Sequence, residues 1–157
     1  MDMENDYDFC YEFPEHEPLA VFSSVITRDG DLVLPPDCLM DVFQTENFPV
    51  PAVLTYSWKK GFLSLYPAET FEQLVEEFQQ LNKLNPKVRL LYRMIVIEAV
   101  PLEISKESGI TVIPEQMERL GFDPDKESGP FPVTLLKHEH KIEIVSSAAY
   151  SSAKEQG

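Results

Sequence analysis

The chain has 157 residues and sets 27 acidic side chains against 13 basic ones, a formal charge of −14. With 43% hydrophobic and 11% aromatic residues it can bury a core, as one domain or two small halves, and is not a disordered polyelectrolyte. A composition so acidic argues against a general nucleic-acid binder, because phosphate contacts need a surplus of Lys and Arg. No apolar run is long enough for a membrane span. The start is acidic where a secretory signal is basic and apolar, so the cytoplasm is the expected compartment. Cys10 and Cys38 are too few for a disulfide framework.

Half of the acidic excess lies in the first 20 residues, which hold seven acids and no base. Residues 1–18 therefore read as a flexible acidic tail. Within it Tyr7, Phe9, Tyr11 and Phe13 alternate with acids, a pattern that suits a solubilising tail, or an autoinhibitory or partner-binding arm that docks on a basic groove.

From residue 19 the chain repeats itself. Residues 20–43 (AVFSSVITRDGDLVLPPDCLMDVF) and 99–122 (AVPLEISKESGITVIPEQMERLGF) each read strand, polar turn, strand, Pro, short helix. Gly30 and Gly109 are 79 residues apart, as are Pro35 and Pro114. The glycines suit turns that need positive φ, and the prolines suit a first helical turn. Cys38, Leu39, Val42 and Phe43 would pack the first short helix, and Met117 and Leu120 the second, with Gly121 as its terminating glycine. Each unit leads into a hairpin. Val53–Ser57 and Phe62–Tyr66 flank Trp58-Lys59-Lys60-Gly61, and Val133–Leu136 and Ile142–Val145 flank Lys137-His138-Glu139-His140. Alternation in Lys141-Ile142-Glu143-Ile144 predicts a strand with one polar face.

A helix follows each hairpin. Phe71, Leu74, Val75, Phe78, Leu81 and Leu84 hold helical spacing, which predicts a helix over 68–84, starting at Thr70 if Gln73 completes a capping box or earlier at Pro67. Asn85-Pro86 reads as N-cap and first helical residue of a second central helix over 86–97, with Val88, Leu91, Tyr92 and Ile95 inward, antiparallel to the first. A weaker helix spans 147–154. The expected organisation is a tail (1–18), a first half (19–84), a second half (85–152) and a short tail (153–157). The fold class is α+β: tandem β-β-α-β-β units with central helices.

Enzyme chemistry has little support. No Gly-rich phosphate loop follows a strand and no Gly-x-Ser-x-Gly elbow occurs. His138-Glu139-His140 supplies at most two strand-spaced metal ligands and reads as a polar turn. No catalytic residue, metal or cofactor is expected.

Leu65-Tyr66-Pro67, then Phe71-Glu72, then Asn85-Pro86, with Arg93 downstream and Lys141-Ile142-Glu143-Ile144-Val145 before Tyr150, together resemble the MraZ family, bacterial regulators of the division and cell-wall gene cluster. The resemblance covers residues 19–152 and implies a double swapped-hairpin fold related to AbrB. It also implies a cytoplasmic, nucleoid-associated homo-oligomeric ring that presents one turn per half to repeated promoter DNA boxes, with no membrane partner. The family signature in each half is Asp-x-x-Gly-Arg or Asp-x-Lys-Gly-Arg. It falls on Thr27-Arg28-Asp29-Gly30-Asp31 and on Lys106-Glu107-Ser108-Gly109-Ile110. The implied DNA-contact positions are therefore Arg28, Gly30, Asp31, Lys106, Gly109 and Ile110. The signature arginines are replaced by Asp31 and Ile110, which leaves open a ring that has lost DNA binding and acts through protein partners. Val25, Val33, Phe62, Leu63 and Ile113 are candidates for burial between strands or subunits.

Overall fold

A computed structural model describes residues 17–43 and 48–156. The acidic segment expected over 1–18 lies almost wholly outside the described residues, as do Cys10 and His16. In chain order the elements are β1 (Ala20–Ile26), β2 (Asp31–Val33), α1 (Pro36–Leu39), β3 (Val50–Tyr56), β4 (Phe62–Pro67) and α2 (Ala68–Gln79). Then come α3 (Pro86–Tyr92), which continues as a π turn over Arg93–Ile97, β5 (Val100–Ile104), β6 (Gly109–Thr111), α4 (Pro114–Arg119), β7 (Phe131–Lys137), β8 (Ile142–Ser146) and α5 (Ser147–Gln156).

The eight strands form one antiparallel sheet in the order β5-β3-β4-β8-β7-β1-β2-β6. Its two end strands are consecutive in the chain, and Ser105 N–H donates to the Gly109 carbonyl at 3.0 Å, so the sheet nearly closes on itself. Strands of the two halves interleave. β1 pairs with β7, β3 with β5, β4 with β8 and β2 with β6. This is the swapped-hairpin arrangement, and the cyclic order is unchanged when the halves are exchanged. Leu32 stands opposite Ile110 and Ser64 opposite Glu143, so a pseudo-two-fold axis passes through both pairs.

Alternation drives the packing. β1 buries every second residue more deeply than its neighbours, ending on the fully buried Ile26. Leu54, Leu63, Leu65, Leu135, Ile142 and Ile144 are fully buried inside the barrel, each worth roughly 1.5–3 kcal/mol of apolar burial. A second cluster, made of Val53, Tyr66, Phe71, Phe78, Val88 and Ile95, lies where α2 and α3 cover the outer face of β3 and β4. There Phe78 meets Tyr92 edge-on at 5.9 Å.

Several expectations shift. The first central helix ends at Gln79, not residue 84, and Leu84 is 83% exposed. The Asn82 side chain accepts from Leu84 N–H at 3.0 Å, and Asn85 N–H donates to the Asn82 backbone carbonyl at 3.1 Å, so a local Asx turn outcompetes the helix. α2 starts after Pro67, so Thr70 is not its cap. Asn85 does cap α3, accepting from Lys87 N–H at 2.9 Å with Pro86 as first helical residue. α1 stops at Leu39, and Asp41 takes φ 69°, so Val42 and Phe43 reach the core from beyond the helix. Gly121, at φ 92°, closes α4: Gly121 N–H bonds Glu118 and Phe122 N–H bonds Met117, the paired bonds of a Schellman ending. Leu63 is spent on the barrel interior, while Val25 and Val33 remain 44% and 59% exposed.

Candidate nucleic-acid interface

Two turns, 27–30 and 105–108, form the most symmetrical surface feature. In the first, Thr27 N–H bonds the Asp31 carbonyl (2.9 Å), Gly30 N–H bonds the Thr27 carbonyl (2.9 Å), and Asp31 N–H bonds the Thr27 hydroxyl (3.1 Å). In the second, Ser105 N–H bonds Gly109 (3.0 Å), Ser108 N–H bonds Ser105 (2.8 Å), and Gly109 N–H bonds the Ser105 hydroxyl (3.0 Å). The turns also lock each other. Val112 N–H donates to the Gly30 carbonyl at 2.7 Å, and Leu34 N–H to the Ser108 carbonyl at 2.8 Å.

These bonds fix the correspondence between the halves, and it differs from the one the glycines suggest. Thr27 matches Ser105, Gly30 matches Ser108 and Asp31 matches Gly109, a spacing of 78 residues. The left-handed position of the second turn is Ser108, at φ 65°, not Gly109. Pro36 and Pro114 are the matching first helical residues. Pro35 therefore matches Ile113, whose N–H donates to the Gln116 side chain at 3.1 Å, a bond that Pro35 has no N–H to make. The 79-residue match of Gly30 to Gly109 was a coincidence of composition.

The correction relocates one site residue. Ile110 is 4% exposed and faces Leu32 across the β2–β6 pair, so its side chain is core and not contact surface. The partner of Asp31 in the second half is Gly109. Arg28, Asp29, Asp31, Lys106 and Glu107 are exposed. Gly30 is buried, at φ 94°, and a Cβ there would stand 2.3 Å from the Val112 carbonyl oxygen; it holds the frame. The two turns sit at opposite ends of the three-residue β2–β6 pair, on the order of 10 Å apart. They present one cation each, Arg28 and Lys106, among three acids.

Of the other basic residues, Lys59 is committed elsewhere. A second polar centre, missed in the sequence, surrounds Glu143. Strand alternation placed this carboxylate on a polar outer face, yet it is 1% exposed. His138 Nε2 lies 2.9 Å from its Oε1, Lys59 Nζ 3.4 Å from the same oxygen, and Lys141 Nζ 3.6 Å from Oε2. The Ser57 hydroxyl donates at 3.3 Å. Burial pushes the Glu143 pKa up, but the His138 hydrogen bond and the Lys141 and Lys59 charges outweigh it and hold the carboxyl at about 2. Burial lowers the Lys141 pKa, against the pull of Glu143. The signal in the sequence was the convergence of Lys59, His138 and Lys141 from two hairpin tips, legible only once β4 and β8 were known to pair. The centre borders an open recess of about 700 Å³ lined by Trp58, Tyr66, Leu74 and His140 among others. His140 points outward, 73% exposed. Among the described residues no three His, Cys, Asp or Glu side chains form a metal-type cluster. Cys38 is fully buried, and burial pushes its thiol to about 11, which fits a core thiol.

No protein-family model matches the chain. Among curated proteins it is similar to the transcriptional regulator MraZ of Cereibacter sphaeroides, with 26% identity over 100 residues, 64% of this chain and 60% of the relative. MraZ from another strain of that species is 24% identical over the same length. At this distance the chain is similar to the MraZ regulators. The match spans about 60% of the length of those relatives. The duplicated, interleaved barrel agrees with the MraZ-like fold that the sequence implied, and no helix among the described residues is long and apolar enough to cross a membrane.

Proposed function

We propose that this chain is a transcriptional regulator of the MraZ kind that presents the turns at 27–31 and 105–109 to repeated promoter DNA boxes. On this reading it works in the cytoplasm, at the nucleoid, as a ring-shaped homo-oligomer acting on division and cell-wall genes. The observation that carries the proposal is the dyad-related pair of turns, each held by the same backbone bonds and locked to its mate. A rigid repeated turn is what regular DNA boxes require, since phosphate and base contacts must be held in register. Exposed Val25 and Val33 beside the first turn supply an apolar face that a neighbouring subunit would cover, and a heterologous contact that closes on itself gives a ring.

One observation favours a second reading. On the resemblance the signature arginines fall on Asp31 and Ile110, and the turn register moves the second to Gly109, the structural match of Asp31; none of the three is basic, and each lost arginine removes about 1–3 kcal/mol of DNA contact. A ring lacking those contacts would regulate through a protein partner. A gel shift with tandem promoter boxes at low and physiological salt separates the two. DNA retention that weakens with salt and is lost in Arg28→Ala and Lys106→Ala supports DNA binding through the turns. No retention at either salt supports the protein-directed alternative.

A further inference from the structure

The segment from Lys83 to Ile97 reverses the charge of the molecule. It carries Lys83, Lys87, Arg89 and Arg93 and no acid, in a chain of net charge −14. All four basic residues lie on the exposed side, and neither Arg89 nor Arg93 makes an ion pair among the described residues. The same segment exposes three large aliphatic side chains, Leu84 (83%), Leu90 (60%) and Ile97 (61%). Leu90, Arg93 and Ile97 follow one another on successive turns of α3 and its π continuation. A solvated helix face has no use for the leucines, and a nucleic-acid face is more polar and much more positively charged than a protein-binding one, whereas here three large aliphatic side chains stand among four cations. A surface that is cationic and aliphatic at once fits an acidic polypeptide that also carries aromatic side chains.

The chain contains one. Residues 1–16 hold six acids, no base, and Tyr7, Phe9, Tyr11 and Phe13 at every second position. In an extended strand that spacing puts the rings on one side and most of the acids on the other. Glu17, where the described chain begins, borders the recess beside Gln73 and Glu77 of α2, and α2 packs against α3 through Phe78 and Tyr92. Sixteen residues reach roughly 50 Å when extended, against about 18 Å for the length of α2. We propose that residues 1–16 dock on the face formed by Leu84, Leu90, Ile97, Arg89 and Arg93, rings on the aliphatic side chains and carboxylates on the guanidinium groups. The recess at Trp58 is the poorer receptor: its lining acids, Glu17, Glu77, Glu139 and Glu143, outnumber its lysines, Lys59 and Lys141. Tethering supplies an effective concentration on the order of millimolar, so a weak contact suffices. The docked segment withholds the most basic face of the molecule from other polyanions and is displaced by salt.

Cys10 lies within the segment, and Cys38 is buried with its thiol pushed up, so a nitroxide reagent labels the full chain at Cys10. Amide signals of residues 84–97 should lose intensity by about twofold at low salt, as expected for a contact about half occupied at that effective concentration. They should recover in Arg89→Glu/Arg93→Glu and, with the folded body untouched, in Tyr7→Ser/Phe9→Ser/Tyr11→Ser/Phe13→Ser. Three results overturn the proposal: a flat profile, loss confined to residues near Trp58 and His140, or loss that scales with protein concentration and so reports a second copy. A flat profile with duplex DNA shifting the 84–97 signals would assign the face to nucleic acid instead.

Discussion

The turns at 27–30 and 105–108 share their backbone hydrogen bonds and the chemical class of three of their four side chains, and part company at the fourth position and at the residue that follows. Thr27 and Ser105 do the same work, each hydroxyl accepting from an N–H four residues on. Gly30 and Ser108 both take the left-handed conformation, one without and one with a Cβ. Arg28 and Lys106 keep a cation at the tip, whereas Asp31 and Gly109 share nothing. The difference teaches that the hydroxyl at the head of each turn and the left-handed residue set the frame, that the exposed tip keeps one cation and one acid in both halves, and that the residue after the turn changes without disturbing either.

The largest expected effect comes from confusing frame with surface. Ile110→Arg places a guanidinium where 4% of the side chain is exposed. It should cost more than about 4 kcal/mol and abolish a cooperative urea transition, while Gly109→Arg, one residue away at the half-buried start of β6, where a Cβ would stand 3.3 Å from the Ser105 hydroxyl, should cost only about 1 kcal/mol. Equal losses would mean that the two turns do not correspond as the hydrogen bonds indicate.

Gly30→Ala should cost about 3 kcal/mol, from the left-handed conformation together with a Cβ driven onto the Val112 carbonyl. Ser108→Ala, at the matching position, should cost under about 1 kcal/mol. Urea denaturation of both variants measures the asymmetry.

The second dyad pair, Ser64 and Glu143, is broken in another way. The Glu143 folded pKa of about 2 lies below its ordinary 4.5, so its stabilisation is complete above about pH 5 and is lost as the pH falls toward 2. A depression of that size corresponds to about 3 kcal/mol. Stability measured against pH should fall across this window in wild type and stay flatter in Glu143→Gln. Parallel curves would show that the Lys59, Lys141 and His138 contacts do not act on the ionised carboxylate.

The pattern of what the sequence revealed follows the range of the interactions. Strand alternation, the Asn85-Pro86 cap and the Gly121 ending are local, and the residues that make them are neighbours in the chain. The duplication was legible because apolar spacing repeats. Its register was not: Gly30 and Gly109 both read as turn glycines, and only hydrogen bonds between the halves show that Ser108 occupies the left-handed position. The early end of α2 rested on Asn82 competing for backbone donors, a weak signal beside a strong apolar stripe. Burial of Glu143 depended on β4 pairing with β8, a contact between residues about 80 positions apart.

The role of the turns is tested most directly by fluorescence anisotropy with tandem-box DNA, comparing wild type, Asp31→Arg, Gly109→Arg and the double variant across a salt series. If the turns face DNA, each substitution should raise affinity at low salt by about tenfold, within the 1–3 kcal/mol of one arginine contact, and steepen the salt slope by about one unit. Wild-type DNA binding that neither substitution changes would place the contact surface elsewhere on the molecule and contradict the proposed role of both turns.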